Sequence, residues 1–183
     1  GYFGRDVFNL RSNDRDLFFN IPYGNATATL RWNHLFTDKL FLNVSAIYND
    51  YDFGFEGGQS SFSVDVFSGI RDYNFKVDFD YFANPNHSLK FGANYTYHRL
   101  TPNIASARSG EETFSNEFEP QFAHEAAIYV QDDWKINEKL RVNIGLRGTM
   151  FAQLGPYTST FDGTEYAKNE LVKTYFGLEP RAS

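Results

Sequence analysis

From Leu140 to Met150 apolar and polar residues alternate. Leu140, Val142, Ile144, Leu146 and Met150 share one phase, and Arg141, Asn143, Arg147 and Thr149 fill the other. A period of two is the mark of a β-strand, whose successive side chains point to opposite faces. The same period predicts strands over 24–36, 39–55, 88–100 and 122–136 as well as 139–151. A last strand, from about 171, sets Phe176 and Leu178 against Glu179 and Arg181. The segment 61–83 changes phase, with Phe62, Val64 and Val66 on one parity and Phe75, Val77, Phe79 and Tyr81 on the other. A β-bulge near Ser68-Gly69 would bring both sets to one side, and one bulged strand is preferred over two strands joined near Arg71-Asp72-Tyr73.

The links between these strands alternate in length. Those at 37–38, 84–87 and 137–138 are short and made of turn residues, whereas 56–61, 101–121 and 152–170 are longer,. The first 22 residues read as a long loop with room for the end of a strand. Antiparallel neighbours then place all short turns at one end and all long loops at the other, the arrangement of an outer-membrane barrel. On that reading the apolar phase meets lipid and the polar phase lines a lumen. The alternation by itself fits equally a soluble sandwich or lipocalin-like barrel, with the same apolar face turned into a core.

Composition narrows the choice. Aromatic residues make up 19% of the 183 positions, and Tyr and Trp suit a membrane–water boundary,. Cysteine is absent, which removes disulfides, zinc fingers and thiol nucleophiles, and the net charge of −6 gives no basic surface for nucleic acid,. No run of about 18 apolar residues exists, so a membrane would be crossed by strands. Both ends read as strand interrupted partway, and the chain is expected to be a fragment of a longer protein.

Three stretches carry a resemblance. SGIRDYNFKVDFDYFANPNHSLKFGANYTYHRLTPN looks like one hairpin of a TonB-dependent outer-membrane receptor. HEAAIYVQDDWKINEKLRVNIGLRGTMF is similar to the family's recurring down-strand, turn and up-strand, through Tyr129, the run Gln131-Asp132-Asp133-Trp134, and Gly145-Leu146-Arg147. YFGLEPRAS resembles the next descending strand, with Glu179, Pro180 and Arg181. The resemblance implies that residues 1–183 are about seven strands of one antiparallel up-and-down transmembrane β-barrel domain of the 22-stranded type,. It implies an active transporter, not an enzyme, in the outer membrane of a Gram-negative bacterium. Such a receptor imports a scarce nutrient (a siderophore, cobalamin, a glycan or a peptide) with energy from TonB. Its implied partners are the lipid bilayer, the rest of the barrel, a plug, the TonB complex and a surface lipoprotein. No plug domain or TonB box is found in this sequence. The alternative is a small self-contained outer-membrane barrel with a structural or adhesive role.

Candidate residues follow from these readings. Arg141, Asn143, Arg147, Glu179 and Arg181 are expected to face the lumen, and Trp32, Tyr48, Tyr97 and Trp134 to form an aromatic girdle. Asp132 falls on the apolar phase, where a position near the short turn lowers its cost. Ligand contact is expected in the long loops, from Arg108, Glu111, Phe114 and Phe118 in one and Tyr157, Phe161, Asp162 and Tyr166 in the other. His34, His87, His98 and His124 have no metal-ligand spacing. No cofactor is expected, the chain having no phosphate-binding glycine motif, and no GxSxG elbow presents a serine nucleophile,. No nucleophile, base and orienting acid share a face.

Overall fold

The computed structural model describes residues 1–12, 16–59, 61–116 and 119–183, the side chains at 103 and 104 excepted. Its strands are β1 (Tyr2–Ser12), β2 (Leu17–Thr37), β3 (Leu40–Gln59), β4 (Phe62–Asn84), β5 (His87–Ser109), β6 (Glu112–Asn116), β7 (Gln121–Lys135), β8 (Arg141–Leu154), β9 (Tyr157–Thr158), β10 (Glu165–Tyr166) and β11 (Leu171–Ala182). Eight of them pair antiparallel in the order β1-β2-β3-β4-β5-β7-β8-β11, with β6 folded back on the end of β5 and β9-β10 a separate small hairpin. The sheet is an open up-and-down meander, and β1 and β11 are its edges.

The turns β2/β3, β4/β5 and β7/β8 lie at one end, as the spacing predicts. Asparagine builds two of them: the Asn84 side-chain oxygen accepts from the N–H of Asn86 and His87, and that of Asn137 from Lys139 and Leu140,.

At the other end several of the residues expected to be loop are strand. β3 runs through Gly57 and Gly58 to Gln59, β5 runs to Ser109 before reversing at Gly110, and β1 occupies residues expected to be loop. The row therefore holds eight strands where about seven were expected. The glycines that read as breakers are packed positions. A Cβ on Gly57 would meet the Phe19 ring at 3.0 Å, and one on Gly58 the Phe18 ring at 2.8 Å. An aromatic ring lying over a strand glycine compensates for its missing side chain. β2, β3, β4 and β5 reach 20 to 23 residues, while about 9–11 tilted residues cross a bilayer.

The phase change in β4 has a different cause from the one expected. Pairing of β3 with β4 is unbroken from Leu40↔Tyr81 to Gln59↔Phe62, so β4 carries no bulge near Ser68-Gly69. The irregularity at that level lies on β5, where Pro102 and Asn103 stand against Ser68. Phe62, Val64 and Val66 therefore face opposite to Phe75, Val77 and Phe79. Neighbouring strands make the same exchange at the same level. Towards the turn end one face carries Leu42, Val44, Phe75, Ala93, Ile128 and Ile144, and the other Asn43, Lys76, Asp78, Asn94 and Asn143. Beyond Tyr48 the first face takes Arg5, Asp50, Asp52, Arg71 and Arg99, and the second takes Ile21, Tyr23, Phe53, Phe55 and Val66.

The sheet curls towards the second face. One hollow of about 420 Å³ touches both Asn43 on β3 and Glu179 on β11, five strands apart and roughly 24 Å in a flat sheet. The polar band is thus concave and the apolar band convex. Among the described residues, no second layer covers the apolar band of the convex face. Leu30 is 74% exposed, Ile128 70% and Phe176 80%. A soluble sandwich would bury these side chains.

Candidate functional site

The concave face of the band is a ladder of paired polar groups. Asn74 donates to Asn94 Oδ1 at 2.7 Å and to the Thr96 hydroxyl at 2.8 Å. Lys76 pairs with Asp78 at 2.9 Å and Lys90 with Asp80 at 3.4 Å. Nδ1 of His98 lies 2.8 Å from Asp72 and its Nε2 3.5 Å from Glu125. The Tyr129 hydroxyl donates to Asp78 across Gly92, which stands between them in register.

The residues expected at the lumen share this face. Arg147 is opposite Glu179, Arg181 opposite Gly145, and Asn143 opposite Asp133. Arg147, Glu179 and Arg181 line the 420 Å³ hollow with Lys76, Asp78 and Tyr129. Among the described residues Arg141 is the one of the five in an ion pair, with Asp133 at 3.5 Å.

The convex face carries aromatic groups at both margins of its apolar band. The Tyr48 and Tyr73 rings lie 5.3 Å apart, Tyr73 and Tyr97 6.4 Å, and Tyr97 and Phe122 6.1 Å. Near the turns Trp134 stacks on His87 at 5.4 Å and Trp32 on His34 at 5.6 Å. Tyr73, His34 and His87 complete rows of which Trp32, Tyr48, Tyr97 and Trp134 were singled out from sequence as girdle residues. Their shared phase with those residues was visible, but their neighbours across the sheet were not.

Two charged groups on this face have partners that no local pattern indicated. Asp132 sits 2.6 Å from His87 Nδ1, beneath the His87–Trp134 stack. Just beyond the tyrosine row, Asp50 accepts from Tyr48 at 2.8 Å and from Arg71 Nε and a terminal nitrogen at 2.9 and 2.6 Å.

The loop candidates do not converge on one place. Arg108, Glu111 and Phe114 belong to the β5–β6 hairpin. Tyr157 and Tyr166 meet in the β9–β10 hairpin, rings 6.3 Å apart, and Phe161 at its tip is 99% exposed. Hydrogen bonds from the Ser159 hydroxyl and from Thr164 hold the Asp162 carboxyl below its ordinary range. Phe118 lies outside the described residues. Among the described residues, no group of three or more His, Asp or Glu side chains is placed to hold a metal ion. No helix is long and apolar enough to cross a membrane, which leaves crossing by strands open.

The family model described as TonB dependent receptor-like, beta-barrel matches residues 1–183. No curated protein and no solved structure matches the chain. An antiparallel sheet with an uncovered apolar band, aromatic margins and a polar concave face is what a membrane-spanning barrel wall requires. With the match running over its whole length, this chain belongs to the TonB-dependent receptor β-barrel family, transmembrane transport receptors of the Gram-negative outer membrane.

Proposed function

We propose that residues 1–183 form part of one barrel domain of an active importer, which captures a scarce nutrient outside the cell and admits it with TonB-supplied energy. The observation that supports this most is the exchange of faces. Within the membrane band the concave wall is a charged and amide-bearing ladder, suited to a wet or plug-filled lumen. Above it the same wall becomes aromatic, with Phe19 and Phe55 rings 6.1 Å apart and Tyr23 and Phe53 beside them. An aromatic wall of this kind offers contact to a ligand before it reaches the polar passage.

Arg141, Asn143, Arg147, Glu179 and Arg181 are the lumen-facing set of this reading, and Trp32, Tyr48, Tyr97 and Trp134 belong to its girdle. Arg108, Glu111, Phe114, Tyr157, Phe161, Asp162 and Tyr166 supply ligand contacts from the hairpin tips. A plug, the TonB complex and a surface lipoprotein are the partners it calls for.

Growth on a single limiting source of iron chelate, cobalamin, oligosaccharide or peptide tests the proposal, in cells with and without the protein. One source should require both the protein and a working TonB. Replacing Tyr157, Phe161 and Tyr166 with alanine should weaken that growth while the protein still reaches the membrane. Uptake that persists undiminished without TonB would overturn energised import.

A further inference from the structure

Above the membrane band the concave wall carries one unbroken apolar row across the strands. Leu10, Phe19, Gly57, Val64, Ala107 and Phe114 stand opposite one another in turn, from β1 to β6. Five strand spacings make the row roughly 24 Å wide. The next row towards the band continues it. Phe8 is opposite Ile21 on β1 and β2, and Phe55, Val66 and Ala105 are in register on β3, β4 and β5. Leu10 is 56% exposed and Phe114 62%.

The charges of the same stretches take the opposite face. Arg5, Asp52, Glu56, Asp65 and Arg99 are convex, and Arg108 shares that side below its hairpin tip. Two carboxylates remain on the apolar side, both at its margins, Asp6 opposite Tyr23 and Glu112 opposite Ser109. Among the described residues these rows hold no Lys or Arg. In the barrel reading this level lies beyond the bilayer, where lipid no longer demands an apolar surface. A wide apolar wall standing in water marks a place that something else covers.

The chemistry of the wall selects among nutrients. An anionic chelate would need cations, and the margins offer carboxylates instead. A glycan would press hydroxyls against side chains that neither donate nor accept, and burying a hydroxyl without a partner is costly. An extended peptide repeats its side chains on one face every second residue, and about seven residues span the row. Its backbone N–H and C=O groups point sideways along the wall and keep their water. We infer that this wall binds an extended oligopeptide laid across the strands, with alternate apolar side chains on the Leu10–Phe114 row and its ammonium terminus towards Asp6 or Glu112. The inference rests on the import reading above and narrows its substrate to an apolar peptide without anionic side chains.

The experiment uses the receptor purified from outer membranes into lipid nanodiscs, with binding measured by calorimetry and empty discs subtracted. The probes are a seven-residue peptide of alternating leucine and glutamine with a free amino end and an amidated carboxyl end, the same peptide with serine for leucine, maltoheptaose, and ferric citrate. The leucine peptide should bind at least about tenfold more tightly than each of the others. The double variant Leu10→Gln, Phe114→Gln should weaken it about tenfold or more. Both side chains are more than half exposed, so this variant should keep its fold, which heat-modifiable mobility checks. Arg5→Gln, on the opposite face, should leave binding unchanged. Equal binding of the leucine and serine peptides would overturn the inference, as would tighter binding of maltoheptaose or ferric citrate. So would undiminished binding by a folded double variant. If growth on another source needs both the protein and TonB while the leucine peptide does not bind, the substrate assignment fails and the import reading stands.

Discussion

At the scale of the residue, the fold tolerates polar groups on its apolar face by pairing them. Asp132 faces the same side as Val130 and Trp134, and His87 beside it partners one carboxylate oxygen, while the other is buried without a hydrogen-bond partner among the described residues. Removing one member leaves the other unsatisfied near lipid, which costs about 1–3 kcal/mol, whereas removing both with apolar replacements is nearly neutral. His87→Leu should therefore lower stability to urea in detergent, and Asp132→Leu in the same chain should restore most of the loss. A double variant less stable than His87→Leu would show that the pair itself, not its desolvation, is what matters. On the concave face Gly92 leaves room for Tyr129 to lie across it and reach Asp78. A Cβ there would strike the Val77 carbonyl oxygen and would stand 2.7 Å from the Tyr129 hydroxyl. Gly92→Val should cost more than Tyr129→Phe, which removes one hydrogen bond worth about 0.5–1.5 kcal/mol. The unfolding midpoints of the two variants decide it.

At the scale of the element, the long strands exchange their apolar and polar faces where they leave the membrane band. Spin labels at Leu42, Val44, Phe91, Ala93, Ile144 and Leu146 should be quenched by lipid-soluble agents, and labels at Asn43, Asn94 and Asn143 should not. A label at Val66 should also escape quenching although it sits in a run of hydrophobic residues, because its side of β4 is concave. Quenching at Val66 equal to that at Ala93 would place a bulge in β4 after all. The β9–β10 hairpin responds to acid. The Asp162 carboxyl is depressed by its bonds with Ser159 and Thr164. Their stabilisation is fully present above the ordinary aspartate range and is lost as pH falls through the depressed value. Amide exchange at Thr164 should quicken in that window, and Asp162→Asn, which keeps an acceptor without titrating, should remove the dependence.

At the scale of the whole molecule, the sheet leaves the outer backbone edges of β1 and β11 without partners in the row. In lipid such edges are forbidden, and in water they invite pairing with other chains. The 183-residue polypeptide expressed alone should aggregate or refold in detergent as a mixture. A monodisperse, heat-resistant monomer with strong β-sheet dichroism would instead favour the self-contained barrel.

Periodicity alone was enough for the strand class, the short turns and the assignment of faces within the band, because a period of two ties each side chain to one side. The order Leu140 to Met150 could be read without any neighbour. What lies above the band could not. Gly57-Gly58 and the segment 101–109 carry the composition of loops, and they become strand because Phe18, Phe19 and the facing hairpin arms cover and pair them. The phase change in β4 admits either a bulge or an exchange of environment, and only the unbroken register with β3 selects the second. The same holds for Leu10, Phe19, Val64 and Phe114, which come from β1, β2, β4 and β6. Their alignment in one row is a property of cross-strand registry and of where a hairpin folds back, neither of which a pattern along one strand contains.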